Sequence, residues 1–258
     1  MRIALGVEYN GSHYNGWQYQ DHSRSIQEEV EKAISKVADH KVNVICAGRT
    51  DTGVHAMQQV IHIESHADRT ERAWLFGSNS NLPDDISILW AKETSNEFHA
   101  RYTAIARRYR YVILNRNIRP SYLRSLVSWD CRPLDEKRMH KAAQHLIGEH
   151  DFNSYRAAGC QAKHANRNVK YINVTRHNEF IYIDIEANAF LYHMVRNIVG
   201  VLSSIGAGEQ ADDWSKEVLE YHDRTMGGVT ASPDGLYLVN VLYPEEYGIP
   251  VRTPDFLF

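Results

Sequence analysis

The strongest constraint on this chain is a pattern that runs twice: two-faced strands interrupted by capped amphipathic helices. Ile3, Leu5, Val7 and Tyr9 alternate with Arg2, Ala4, Gly6 and Glu8. One face of that segment is apolar and the other mixed, the signature of a strand covered on one side. After a loop rich in Gly, Asn, Ser and aromatics, "NGSHYNGWQYQDHSR", comes "SIQEEVEKAISKVA". Ser25 and Glu28 form a capping box, and Ile26, Val30, Ala33, Ile34 and Val37 make one stripe, so a helix is expected. Strands are expected at 42–47 and 58–64, a helix near 70–77, a turn at "NLPDD" and an apolar strand from Ile86 to Trp90.

The second half follows the same plan. "RRYRYVILN" reads as a strand with Tyr109, Tyr111 and Ile113 on one face. "LDEKRMHKAAQHLIG" reads as a helix from Asp135 to Gly148. Strands are expected at 169–176 and 179–187. "NAFLYHMVRNIVGVLSSIGAG" reads as a helix ending in glycines, followed by a helix near 212–222 and a strand at 236–243. Two-faced strands suit an antiparallel or mixed sheet. The fold class is α+β, in two halves of similar plan with a cleft between them. The expected division is 1–100, carrying the 46–56 turn, and 101–258, carrying a basic strand and the Arg196 helix. No sequence repeat accompanies this duplication of pattern.

Length and composition agree. A chain of 258 residues has room for one large or two smaller domains with a proper core. Hydrophobic residues at 43% and charged residues at 24% are ordinary for a soluble globular protein. No apolar run reaches membrane-spanning length, and the start, "MRIALGVEYN", reads as a strand rather than a signal peptide. Three widely spaced cysteines, Cys46, Cys131 and Cys160, offer no CxxC pair, so a disulfide frame or zinc knuckle is not expected and a reducing cytoplasm fits best.

The net charge of −3 argues weakly against nucleic acid, but the distribution points the other way. Arg101 to Arg124 contains seven arginines, four tyrosines and no carboxylate. Ser154 to Arg176 holds five Lys or Arg and again no carboxylate. Segregated positive charge with interleaved aromatics is the pattern of a nucleic-acid surface; the plainer reading is solvated strand faces.

"CAGRTDTGVHA", Cys46 to Ala56, places Arg49 and Asp51 between Gly48 and Gly53, just after a short apolar alternation. Asp on a turn commonly caps its own backbone. Here the flanking glycines permit close approach by a ligand, and Arg49 beside Asp51 favours the ionised carboxylate, which can act as nucleophile or base. There is no P-loop lysine, no HExxH and no GxSxG. The fourteen histidines lack metal spacing: His62 and His66 lie on a strand pattern, where i and i+4 stand about 13 Å apart. His140, His145 and His150 are five apart, wrong for one helical face. No metal is expected. Arg196 sits at the border of the apolar arc of its helix, either snorkelling to solvent or aimed at the carboxylate of the other half. "FHARY", Phe98 to Tyr102, mixes groups for stacking and phosphate contact, although half-buried strand aromatics look the same.

Together these segments resemble the tRNA pseudouridine synthase A family over the whole chain. "YNGSHYNGWQYQ" resembles its N-terminal segment, "AGRTDTGVHA" its active-site signature, "FHARY" with "ARRYRYVI" its central block and "LYHMVRNIVG" its late helix. Thr52 stands where the family more often has alanine, and Tyr19 where many members have arginine. The resemblance implies isomerisation of uridine to pseudouridine at positions 38 to 40 of the tRNA anticodon arm. It implies no cofactor and no metal, a homodimer, and two ferredoxin-like halves around a basic cleft. Asp51 would be the catalytic aspartate, Arg49 would aid base flipping, Tyr109 would lie against the target base and Arg196 would pair with Asp51. Phe98, His99, Ala100, Arg101 and Tyr102, and the loop Gly159, Cys160, Gln161, Ala162 and Lys163, would contact tRNA. Asp51 could attack C1′, attack C6 or take a sugar proton. A non-catalytic RNA-binding module or chaperone is the competing reading. A glycoside-cleaving enzyme would need a second carboxylate that the motif lacks.

Overall fold

A computed structural model describes residues 1–252. The chain separates into two compact units, Met1–Ile105 with the segment from Tyr237 on, and Ala106–Leu236. Both are α+β, with mixed and mostly antiparallel strand pairing.

In the first unit, β1 (Arg2–Tyr9) lies between β4 (Ile86–Thr94) and β3 (His55–Glu64), antiparallel to both. Ile3, Leu5, Val7 and Tyr9 are all buried, as the alternation requires. The β1–β3 register shifts between Val7 and Tyr9, where β3 carries the extra residue between Gln59 and Ala56. β2 is only Ile45–Cys46, on β3, shorter than the expected 42–47. The reason is local. Val42 and Val44 are buried, but their N–H groups donate to Ser35 Oγ and Glu31 Oε1 of the neighbouring helix, both at 2.9 Å, not to a strand. That helix, α1 (Ile26–Ala38), starts at Ser25, whose Oγ accepts from Glu28 N at 3.3 Å. It buries Ile26, Val30, Ala33 and Ile34; truncating Ile34 to Ala would cost about 2–5 kcal/mol. Helix α2 (Glu71–Asn79) is capped by Thr70 and packs on α1 and β4. The last strand, β10 (Leu236–Leu242), runs parallel to β3 at Tyr237–His55 and Leu238–Ala56. The expected division at residue 100 had grouped it with the second half. The chain instead returns, and β10 from Tyr237 on belongs to the first unit.

In the second unit, β5 (Ala106–Asn115), β9 (Phe180–Ala187), β8 (Asn166–His177) and β7 (Gly148–Asp151) pair antiparallel in that order. β6 (Ser128–Asp130) adds to β5 in parallel. Helix α3 (Glu136–Ala143) starts at the Asp135 cap and packs on β8 and α4. Helix α4 (Met194–Gly206) packs on α3 and α5 (Trp214–Tyr221). α4 is shorter than its apolar pattern suggests. His193 takes a left-handed conformation at φ 58° and ends the helix there. Phe190 and Leu191 still pack inward: Phe190 sits edge-on to Tyr109 and Leu191 is buried, so apolar residues continue where the helix does not. Among the described residues no helix is long and apolar enough to cross a membrane.

Candidate active site

The loop after β2 is built from below. Gln59 on β3 grips Gly48 from both sides: its Nε2 donates to Gly48 O at 2.5 Å and its Oε1 accepts from Gly48 N at 3.4 Å. Ala47 N donates to Val60 O at 2.8 Å. These bonds hold the start of the loop to the sheet. Val54 N donates to Asp51 O at 3.1 Å, closing a turn whose third residue, Gly53, has φ +78°. An added Cβ at Gly48 would meet nothing within 4 Å, so the space beside that residue is open.

The segment 9–17 forms the floor. Tyr9 OH lies 2.7 Å from Thr50 Oγ1 in a buried contact, and Trp17 N donates to Thr50 O at 3.0 Å. Tyr14 O accepts from Gly53 N at 3.4 Å. Gly16 has φ +84°, and a Cβ there would lie 2.7 Å from Thr50 O and 3.0 Å from Asp51 C. Only glycine lets the two backbones come this close. Trp17 is buried, and Ile26 N and Gln27 N of α1 donate to Gly16 O and Trp17 O. The result is a loop locked at Gly48, Thr50 and Gly53. Between those fixed points Arg49 is exposed and Asp51 is half-buried. Sequence reasoning missed Tyr9, Gly16, Trp17 and Gln59. The first three stand in "YNGSHYNGW", whose glycines among aromatics were the available signal. Gln59 has no signal of its own.

Cys46, next to this loop, is no nucleophile. Burial pushes its thiol up to about 12, and the charges of Arg49 and Arg101 oppose that shift without cancelling it.

The five residues of "FHARY" divide by side chain. Phe98 and Ala100 are buried, Phe98 against Tyr243 and Tyr247, and Ala100 O accepts from Tyr243 OH at 2.6 Å. His99 stacks on Tyr102 with centroids 4.2 Å apart, and its Nδ1 accepts from the N–H groups of Arg101 and Tyr102, both at 3.2 Å. Arg101 and Tyr102 are exposed. Phe98 and Ala100 anchor the segment, and His99 is half-buried with its ring also against His62.

In the second unit, Tyr109 is buried on β5. Arg196, on the first turn of α4, is half-buried, and its Nε donates to Ala231 O at 2.7 Å. The loop Gly159–Lys163 is tied to the residues before α4: Tyr192 N donates to Cys160 Sγ at 3.5 Å and Ala157 N to Tyr192 O at 3.0 Å. Gly159, Gln161 and Lys163 are exposed; Cys160 and Ala162 are half-buried. Arg167 closes the far end of this loop with its Nη1 on His164 O and Asn166 O. Burial, with the Arg196 and Arg224 charges behind it, lowers His193 to about 4, so its ring is neutral at pH 7.

The basic stretches are less free than their composition implies. Arg108 donates to Glu186 Oε2 through Nε and Nη2, at 3.1 and 2.7 Å, and Arg110 spans both oxygens of Asp184 at 2.8 and 3.0 Å. Both acids lie on β9, directly across the ladder from their arginines. Arg116 pairs with Glu179, Lys170 with Glu186 and Arg176 with Glu136. Arg119, Arg124 and Lys163 are exposed, and among the described residues no carboxylate pairs with them.

The site is thus an arginine and an aspartate presented on a clamped glycine loop of an α+β scaffold. The family model described as tRNA pseudouridine synthase matches residues 6–103 and 142–244. A tRNA pseudouridine synthase A of Coxiella burnetii is 56% identical over 253 residues, covering 98% of this chain and 97% of that protein. Namesakes from Hydrogenovibrio crunogenus and Actinobacillus succinogenes are 53% and 55% identical, covering 99% and 100% of this chain and 97% and 98% of theirs. The chain belongs to the tRNA pseudouridine synthase family. It is an isomerase that converts uridine to pseudouridine in tRNA.

Proposed function

We propose that this protein acts on uridines 38, 39 and 40 of the anticodon stem-loop, as a cytoplasmic homodimer with neither metal nor cofactor. Asp51 starts the reaction. The C1′–N1 bond breaks, the uracil rotates, and C1′ bonds to C5; the C5 proton leaves and N1 gains one. Atoms and electrons balance within the substrate, so no redox partner is needed. A stacked base is out of reach, and the target nucleotide must leave its helix first. Arg49 stabilises the flipped state, and Tyr109 lies against the uracil. Arg196 pairs with Asp51 across a basic cleft between two ferredoxin-like halves. His99, Arg101 and Tyr102 contact tRNA on one side, with Phe98 and Ala100 seating them, and Gly159 to Lys163 contact it on the other.

The observation that carries this reading is the contrast on one clamped loop: Arg49 exposed, Asp51 half-buried, with Thr50 between them locked to Tyr9 and Trp17. An exposed cation can reach into a stem-loop while a sheltered carboxylate waits for the base. The test is incubation of unmodified tRNA with the protein, followed by site-resolved pseudouridine mapping. Conversion confined to positions 38–40 supports the reading. Binding without conversion returns the chaperone alternative, and release of free uracil points to a hydrolase.

A further inference from the structure

A nine-residue strap, 224–232, crosses the first turns of α4. Its attachments converge on Arg196 and the residue after it. Ala231 makes two bonds with Arg196: its N–H donates to Arg196 O at 3.1 Å and its carbonyl accepts from Arg196 Nε at 2.7 Å. Thr230 Oγ1 donates to Asn197 Oδ1 at 2.7 Å, and Arg224 Nη2 donates to both Asn197 Oδ1 and Thr230 Oγ1 at 2.9 Å. Asn197 is buried, and its Nδ2 donates to Tyr155 O at 2.9 Å, so its amide is held in one orientation. One turn on, Gly200 admits the strap: a Cβ there would collide with the Val229 carbonyl, and one at Gly228 would lie 3.1 Å from Gly200 C. Ser232 O accepts from Tyr111 OH at 2.8 Å. Tyr111 is two residues from Tyr109 on β5, and so shares its face.

The strap is not held by burying its own apolar surface, since Val229 at its crest is 86% exposed. It is held by directional bonds and close backbone approach. We propose that strap 224–232 is the positioning element for Arg196, with Ala231 as clasp and Arg224, Thr230 and Asn197 as the lock that sets its height over α4. Bonding Nε to Ala231 restricts rotation of the guanidinium and turns its Nε edge to the strap, leaving the outer edge, with the two Nη groups, to reach beyond it. The same strap is tied to the strand bearing Tyr109, so one element references both residues. This proposal rests on Arg196 taking part in turnover, as read above. Arg224, Thr230 and Asn197 are positioning residues and touch no substrate.

The experiment is a set of double-mutant cycles on the full chain, with kcat and KM for tRNA read separately. Thr230→Val combined with Arg224→Gln removes the lock, and Gly200→Ala displaces the strap while favouring the helix beneath it. Each should lower kcat, by about 10- to 100-fold for a displacement near 1 Å, with KM changed less than about threefold. In an Arg196→Lys background the same changes should lower kcat much less, because lysine has no planar fork to aim. A thermal melt of each variant confirms that the folded protein is assayed, and Thr230→Val alone is the mild variant if Gly200→Ala does not fold. Equal losses in both backgrounds, a loss in KM only, or unchanged kcat overturns the proposal. If Arg196→Ala is slow but the strap variants are fast, the strap alone is wrong. Normal turnover by Arg196→Ala removes the role of Arg196 and the strap's purpose with it.

Discussion

The Tyr9 hydroxyl lies 2.7 Å from Thr50 Oγ1, buried beneath the loop that carries Arg49 and Asp51. Neither residue touches the solvent side of the loop. The bond sets the level of the backbone from which the Arg49 and Asp51 side chains project.

The first prediction concerns that bond. Tyr9→Phe and Thr50→Val each remove it and should each cost about 1 kcal/mol or somewhat more. The double variant should cost less than the sum, because one bond is lost once. Turnover should fall with Thr50→Val while KM for tRNA holds, since the loop loses its level and no phosphate contact changes. Denaturant melts of the two single variants and the double variant measure the coupling. Strict additivity would show that the two hydroxyls do not interact.

Asp51→Asn separates chemistry from binding. The amide keeps the shape of the carboxylate and loses its charge. Turnover should disappear, and tRNA affinity should stay within about threefold, because the charges that meet phosphate lie elsewhere. Filter binding beside single-turnover kinetics reads both. Substantial turnover by this variant would remove Asp51 from the chemistry.

How much of this was legible beforehand depended on the range of the interactions. The Ser25 cap and the stripe of α1 are local, and both stand in the structure as read. The glycine-flanked Arg49–Asp51 turn was legible for the same reason. Three features were not. The acids that neutralise Arg108 and Arg110 sit 78 and 74 residues away on β9, and nothing in a linear charge count says which strand will lie opposite. The left-handed His193 that starts α4 late is hidden by apolar residues that remain in the core without being helical. Strand β10 pairs with β3, a parallel partnership between distant segments that alternation cannot reveal.

Stability should fall between neutral and mildly acidic pH, with His62 as one cause. Burial, then the charges of His99 and Arg2, lowers this histidine to about 4 from its ordinary 6.5; Glu64 acts the other way. Its Nδ1 accepts from Ala100 N at 3.1 Å, a bond only the unprotonated nitrogen can accept. The unfolded chain therefore binds more protons between pH 6.5 and 4. The contribution of His62 is complete above 6.5 and is lost as pH drops through that window to about 4. His193, also lowered to about 4, acts in the same sense. His62→Asn keeps an acceptor near the Nδ1 position and cannot titrate. Melting temperatures from pH 7.5 to 4.5 should slope less steeply for this variant than for the parent protein. An unchanged slope would show that His62 is not protonated on unfolding in this range.

The salt dependence of tRNA binding should be smaller than the arginine count suggests, and it should map to particular residues. Seven arginines lie between 101 and 124, but Arg108, Arg110 and Arg116 already face carboxylates at 2.7, 2.8 and 3.2 Å. A paired arginine releases fewer counterions from RNA than an unpaired one. Arg119 and Arg124 are exposed with no carboxylate partner among the described residues. Replacing either with alanine should weaken binding and reduce the slope of log K against log salt by about 0.7 to 1. Arg110→Ala should behave differently. Its side chain and that of Asp184 are 12% and 21% exposed, so truncation leaves a partly buried carboxylate unpaired. The expected result is a loss of stability of a few kcal/mol, toward the lower end of about 3–5 because the pair is not fully dry, with the salt slope nearly unchanged. Titrations of each variant between about 50 and 200 mM salt, with a melt beside each, distinguish the two classes. If Arg110→Ala flattened the slope as much as Arg119→Ala, the pairing with Asp184 would have to open on binding tRNA, and the division of these arginines into structural and phosphate-facing groups would be wrong.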